Sequence, residues 1–294
     1  MKSIIGILSS VIKPLNLLLT GLAYLLGISI AKYLGLTIDS TASVFGGTYA
    51  ILVMAASYSL DMYFSPSYRI PPIIDTPKER EGFRRSTLYL SIVLLAIATV
   101  FIFLMLVSGF LNFYSISIIS LYLLIALIYA VPPIRLVDRG FGELLMAFLI
   151  SGFSVLLAFT LQAMDFHRLV TYLDFPVVFI SLACLLALDF PSYAVDQKFG
   201  HQTLLVRLTW EHAIPIHNLL LIISYLMFAV APLFGIPFRL IWPTLLTLPM
   251  AIYQVVMLRN IMLGLKPNWR ILTINATALM GIVIYLLMFT FWVR

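Results

Sequence analysis

Charge is what this sequence has least of. Of its 294 residues only 10% are Asp, Glu, Lys or Arg, while 62% are hydrophobic; an average soluble domain carries roughly 25% charged residues. A chain of that composition cannot cover itself with a water-compatible surface, which excludes a soluble enzyme or binding module. Cysteine is almost as scarce. Cys184 stands alone inside an apolar run, so an intrachain disulfide and any multi-cysteine metal site are excluded. No internal repeat, low-complexity tract or proline-rich linker marks a second unit, and no stretch between apolar runs is long enough to fold outside a membrane. The expectation is a single transmembrane domain over residues 1–294. Walker, dinucleotide-glycine and nucleophile-elbow patterns are missing as well. The four histidines His167, His201, His212 and His217 show no ligand-like spacing beyond an i, i+5 pair, so zinc is not expected.

What the chain does have is apolar runs. Windows of about 20 residues suited to a bilayer crossing fall near residues 14–34, 41–64, 86–108, 113–131, 141–164, 171–195, 212–234, 239–258 and 271–293. Runs of this length exceed the short alternating strands of an outer-membrane barrel. The fold expected is therefore all-α and integral to the membrane, with nine transmembrane helices. Met1 to Ile12 is apolar after Lys2 but is broken by Lys13 and Pro14, with no small-residue cleavage pattern behind it. It reads as an interfacial lead-in to the first span rather than a signal peptide.

The net charge of +6 sits in short loops between apolar runs and not on one polar face, so it sets topology beside anionic lipid and does not point to nucleic acid. With the amino terminus inside, 14 of the 18 basic residues fall in inner segments; only Lys32, Arg168, Arg239 and Arg294 fall outside. That asymmetry predicts a cytoplasmic amino terminus in the cell membrane. The longest inner loops, Ser65 to Arg85 and Asp196 to Glu211, also gather carboxylates, which places the expected functional face in the cytoplasm.

Three polar clusters stand out there. In Leu188 to Leu208, Asp189, Ser192 and Asp196 are spaced i, i+3 and i+7, which puts them on one helical stripe. An ionised carboxylate just under the interface is costly without a cation or donor. Two carboxylates followed by a glycine turn with Lys198 and Arg207 suit Mg²⁺ held between protein and phosphate oxygens, and they equally suit an ordinary charged helix end. In Tyr129 to Leu144 a proline pair ends one helix, Gly140 and Gly142 permit a tight turn, and Arg135 and Arg139 supply donors matched to phosphate, or simply anchor topology. In Ser57 to Arg69, Asp61 lies near the inner end of a span, where it needs a partner. The mixed charges after it, Asp75, Lys78, Glu79, Arg80 and Glu81, read as a solvated loop.

Together these segments resemble the UbiA superfamily of membrane prenyltransferases. The second aspartate motif of that family, D-x-x-D-x-x-x-D-x-x-x-G-x-x-T-L-x-V-R-L, is matched in step by Asp189, Asp196, Gly200, Thr203, Leu204, Val206, Arg207 and Leu208, with Ser192 in place of the middle aspartate. Tyr129 to Leu144 is similar to Y-x-x-P-P-x-R-L-x-x-R-G-x-G-E-L of the menaquinone-type branch, and Lys13-Pro14 is similar to the basic-Pro pair that opens many members. The first motif, N-D-x-x-D-x-x-x-D, departs. Aligned on Tyr63-Phe64, Asp61 falls at the asparagine, Met62 and Ser65 at the first two aspartates and Arg69 at the third; aligned on Asp61, the other places hold Leu60, Phe64 and Tyr68. At most one carboxylate is kept.

The resemblance implies a nine-helix bundle with both motifs at the cytoplasmic ends of helices two and six. It implies Mg²⁺-assisted ionisation of an allylic prenyl diphosphate, then capture of the carbocation by an aromatic or other lipophilic acceptor, as in quinone or related isoprenoid lipid synthesis. Asp189 and Asp196, with Asp61 from the opposite helix, would hold metal. Lys13, Arg135, Arg139, Lys198 and Ser192 would contact the diphosphate, and Tyr58, Tyr129 and Tyr193 would face the cation. The degraded first motif leaves an alternative open, a catalytically impaired homologue that binds isoprenoid lipid or a partner. A transporter ranks last, since it requires acids near the bilayer midplane.

Overall fold

Backbone groups have no water to bond in a bilayer, so long apolar runs must close their hydrogen bonds within themselves. The computed structural model describes residues 11–70, 74 and 76–293. Among these residues it has nine helices long and apolar enough to cross a membrane, and no strand. They are α1 Pro14–Tyr33, α2 Ser40–Phe64, α3 Pro77–Val107, α4 Phe113–Ala130, α5 Gly142–Ala163, α6 Arg168–Lys198, α7 Leu204–Phe234, α8 Phe238–Met262 and α9 Trp269–Val293. Residues 1–10 of the lead-in, with Lys2, and Asp75 and Arg294 lie outside the described residues.

Two helices begin earlier than hydropathy suggests, and both for the same reason: their first turns are polar. Thr76 caps α3 in a reciprocal box, its Oγ1 accepting from Glu79 N at 3.2 Å while Glu79 Oε2 accepts from Thr76 N at 3.1 Å. Thr203 caps α7, accepting from Val206 N at 3.1 Å. The polar start of α7 then breaks at Thr209, whose φ of 60° and ψ of 156° kink the helix before its apolar stretch begins.

The helices are not equally interior. α5 and α6 are largely buried, whereas α3 lies against α2 and turns Ile92, Val93, Val100 and Phe103 outward, as lipid-facing residues should be. α1 packs between α5 and α9, and α6 between α7 and α9. Apolar burial drives little association in lipid, so close approach and polar contacts carry the packing. Gly27 of α1 brings that helix so near α5 that a Cβ would overlap the Val155 carbonyl and Ala158. Ser224 of α7 donates to the Pro176 carbonyl of α6 at 2.6 Å, and Asn275 of α9 donates to Gln254 of α8 at 2.5 Å.

Nine alternating helices gather the starts of α1, α3, α5, α7 and α9 and the ends of α2, α4, α6 and α8 at one end of the bundle. Of the described basic residues, only Lys32, Arg168 and Arg239 belong to the other end.

Candidate active site

A cavity of about 530 Å³ opens at the basic end of the bundle. Lys13 and Asn16 from α1, Tyr58 from α2, Tyr129 from α4, Glu143 and Met146 from α5, and Leu185, Leu188, Asp189, Ser192 and Asp196 from α6 line it. Tyr68 and Arg69 from the α2–α3 loop and His201 and Thr203 from the α6–α7 turn close its mouth.

Each wall is built by a local decision of the chain. Lys13 sits in the left-handed region, φ 50° and ψ 67°, just before Pro14 starts α1, and this turns the residue in toward the cavity. Its ammonium lies 4.9 Å from the centre of the Tyr58 ring, and no carboxylate is close enough to form an ion pair with it among the described residues. Burial lowers the Lys13 pKa, with Asp61 and then Asp189 and Glu143 opposing that effect. Asn16 donates to the Tyr58 hydroxyl at 2.8 Å, and Tyr58 meets Tyr129 edge to face at 6.5 Å between ring centres. On α6 the helix tightens through Phe190–Ser192, where Pro191 sits in the first turn of a short 3₁₀ segment. Asp189, Ser192 and Asp196 nevertheless all reach the cavity.

The carboxylates differ in how far they are already committed. Asp196 is held on both oxygens, by Ser192 Oγ at 2.6 Å and by His201 Nδ1 at 3.1 Å. Asp189 Oδ2 is buried without a hydrogen-bond partner. Glu143 stands beside Asp189 at the cavity, and its Oε2 accepts from Leu204 N at 3.0 Å, which fixes it across the start of α7. An unpartnered buried carboxylate oxygen beside a second carboxyl is the environment a divalent cation would relieve. No group of three or more His, Cys, Asp or Glu among the described residues encloses a metal by itself. The α5–α6 wall therefore fits a metal whose shell is completed by substrate oxygens.

Asp61 does not line this cavity. It is 2% exposed, and its carboxylate is clamped by Arg69 through Nη1 and Nη2 at 3.3 Å each and by Arg135 Nη2 at 3.2 Å. The contacts continue in a chain. Arg135 Nε is 2.7 Å from Asp138 Oδ2, Asp138 Oδ1 is 3.3 Å from His201 Nε2, and His201 reaches Asp196. Burial works against the charged imidazole of His201, but the Asp138 and Asp196 carboxylates outweigh it and raise its pKa above 6.5. For Asp138 burial is likewise outweighed, by His201 and Arg135, and its pKa falls below the usual carboxylate value. Above this chain Tyr68 stacks on Phe199, ring centres 4.5 Å apart and planes 10° from parallel, joining the α2–α3 loop to the α6–α7 turn.

Of the residues singled out in the sequence, Lys13, Tyr58, Tyr129, Asp189, Ser192 and Asp196 meet at the cavity. Arg135 is taken up by Asp61 and Asp138. Arg139 is exposed and donates to the Pro133 carbonyl at 2.7 Å. Lys198 is exposed beside its neighbour Phe199, and Tyr193 packs in a small core with Phe190 and Leu205. None of these four lines the cavity. Glu143, Asn16, Arg69 and His201 were not anticipated. Glu143 carries a usable signal, an acid in the first turn of a span directly after Gly142 in the Gly140-Phe141-Gly142 turn. His201 carries no such signal, because its partners, Asp138 and Asp196, are far apart in sequence from each other.

No protein-family model and no curated protein matches the sequence. Solved structures do. A structure from a study of digeranylgeranylglyceryl phosphate synthase covers 98% of this chain and 97% of its own at 17% identity, with a TM-score of 0.59. A UbiA homologue from Archaeoglobus fulgidus bound to DMAPP and Mg²⁺ covers 96% and 99% at 14% identity, with a TM-score of 0.63. The apo UbiA homologue from Aeropyrum pernix K1 covers 93% and 97% at 12% identity, with a TM-score of 0.59. Over nearly its whole length, then, the chain has the nine-helix UbiA fold.

Proposed function

We propose that this protein is a membrane-embedded prenyltransferase of the UbiA superfamily, a single transmembrane unit that moves an isoprenoid chain from a prenyl diphosphate to a lipophilic acceptor. The observation that carries the reading is one cavity in which an unpartnered acid, fixed cations, aromatic rings and an apolar wall converge. The A. fulgidus homologue of the same fold is bound to DMAPP in one structure and to GPP in another, each with Mg²⁺. The net basic end would face the cytoplasm.

In the reaction the carbon–oxygen bond of the prenyl diphosphate breaks, the diphosphate leaves with the electron pair, and the allylic cation bonds to the acceptor, which then loses a proton. Mg²⁺ held by Asp189 and Asp196 would neutralise the leaving group as a Lewis acid. Lys13 steadies the diphosphate from the opposite wall. Tyr58 and Tyr129 turn ring surface toward the developing cation, an attraction that strengthens where water is excluded. Met146, Leu185 and Leu188 supply the dry surface. Ser192 and His201 orient Asp196.

The test is diphosphate release from purified protein given prenyl diphosphates of several lengths and a panel of quinone precursors and other acceptors, with and without Mg²⁺. Turnover should require Mg²⁺ and fall at least ~100-fold in Asp189→Asn, the scale of losing one electrostatic contributor. Turnover that survives Asp189→Asn with Asp196→Asn overturns the site assignment. A second reading, an isoprenoid-binding homologue without turnover, is favoured by the clamped Asp61. Retained isoprenoid binding with no release from any pair would establish it instead.

A further inference from the structure

The two walls of the cavity carry opposite charge. Asp189, Glu143 and Asp196 stand on the α5–α6 side, while Lys13 and Arg69 stand on the α1–α2 side. The one carboxylate available to the α1–α2 side, Asp61, is withdrawn beneath the wall and shared by two guanidinium groups. A cation from solution would have to displace both of them from a side chain only 3% exposed. That side of the site does not fit a metal.

It does fit an anion. Arg69 is held rigidly from behind, by Asp61 through both Nη atoms and by Ser65 Oγ at 3.1 Å. With its side chain 19% exposed, it still borders the cavity. A guanidinium has five N–H donors in a planar fork, so one edge can bind a carboxylate while the remainder meets phosphate oxygens. Arg135 cannot do the same, because Asp61 and Asp138 occupy it from two directions. Lys13, with no ion pair of its own, adds a second fixed positive charge to the same wall.

Resting on the prenyltransferase reading, we propose that Arg69, positioned by Asp61 and seconded by Lys13, is a direct ligand of the substrate's diphosphate and stands where a metal ion would otherwise be needed. The diphosphate is then gripped by a fixed cation on one side and needs divalent metal only on the other. Anion binding consequently persists when metal is removed.

Calorimetric titration of the purified full-length protein with inorganic pyrophosphate in excess EDTA tests this. Measurable binding is expected in EDTA, weakened at least tenfold in Arg69→Gln and unchanged in Lys266→Gln, an exposed basic residue at the same end of the bundle. Arg69→Gln strips Asp61 of a partner and can fail to fold. The double variant Arg69→Gln with Asp61→Asn leaves no carboxylate uncompensated and should lose pyrophosphate equally. No binding in EDTA by the unaltered protein, or undiminished binding in the double variant, overturns the proposal. Both outcomes are independent of turnover. Mg²⁺-dependent release without metal-free binding leaves the enzyme reading standing and this one fallen, and metal-free binding without release does the reverse.

Discussion

His201 ties together two carboxylates that lie 58 positions apart in the chain, Asp138 and Asp196, and its raised pKa gives that tie a pH dependence. The ring gains partners on folding, so its contribution is fully present below its ordinary pKa of 6.5 and is lost as pH climbs through the higher folded value. Asp138, held below its ordinary 3.8, contributes above that value and fails only as pH falls through the depressed one. Thermal unfolding in detergent should therefore show stability declining on the alkaline side, and His201→Gln should be less stable than the unaltered protein at pH ~6, with the gap narrowing by pH ~9. A gap that stays constant across that range would remove His201 from the tie. At this scale the sequence was partly readable. Lys13, Asp189 and Asp196 reveal themselves because charge is rare next to apolar runs, and so each one demands an explanation. The destinations of Arg135, Lys198 and Tyr193 were not readable, because whether a side chain faces a cavity, an acid or a core depends on what other helices bring to meet it.

At the scale of the element, hydropathy located every span among the described residues to within a few positions except at the starts of α3 and α7. Those two begin with capped polar turns, Thr76 to Arg85 and Thr203 to Glu211, that stand outside any apolar window. Helix there is specified by capping, a local signal independent of burial. The kink in α7 is a different kind of feature. A threonine at φ 60° and ψ 156° occupies a region open mainly to glycine and stores about 1–3 kcal/mol. Thr209→Gly should accordingly raise stability by about 1 kcal/mol, read as a higher unfolding temperature in detergent. An unchanged or lower temperature would show that the side chain's own contact, 3.4 Å from His212 Nδ1, matters more than the strain. The Gly27 contact gives the opposite sign. Gly27→Leu should weaken the α1–α5 seam and lower the unfolding temperature by several degrees, since neither Val155 nor Ala158 can withdraw without moving a helix.

For the whole molecule, orientation follows from where the basic residues lie. The basic residues predict that the cavity end is cytoplasmic, and the single buried cysteine makes this simple to check. In a Cys184→Ala background, cysteine placed at Lys266 should react with an impermeant maleimide only after the cells are permeabilised. Cysteine placed at Asp165, at the other end, should react in intact cells. The reverse pattern inverts the topology. Asp174, about two turns into α6 from that other end, is an acid inside a span whose buried Oδ1 has no hydrogen-bond partner.

Because Asp61 and Arg69 neutralise each other, neither position is free to drift alone. An aspartate introduced at 69 would leave Arg135 facing Asp61, the newcomer and Asp138 together. Loss of Asp61 would leave two guanidinium groups confronting one another under the cavity wall. Replacing either partner alone therefore changes the charge balance of a buried cluster, which is costly in the interior. The ion pair thus couples the two positions: a paired replacement keeps the buried charge balanced, a single one shifts it onto Arg135.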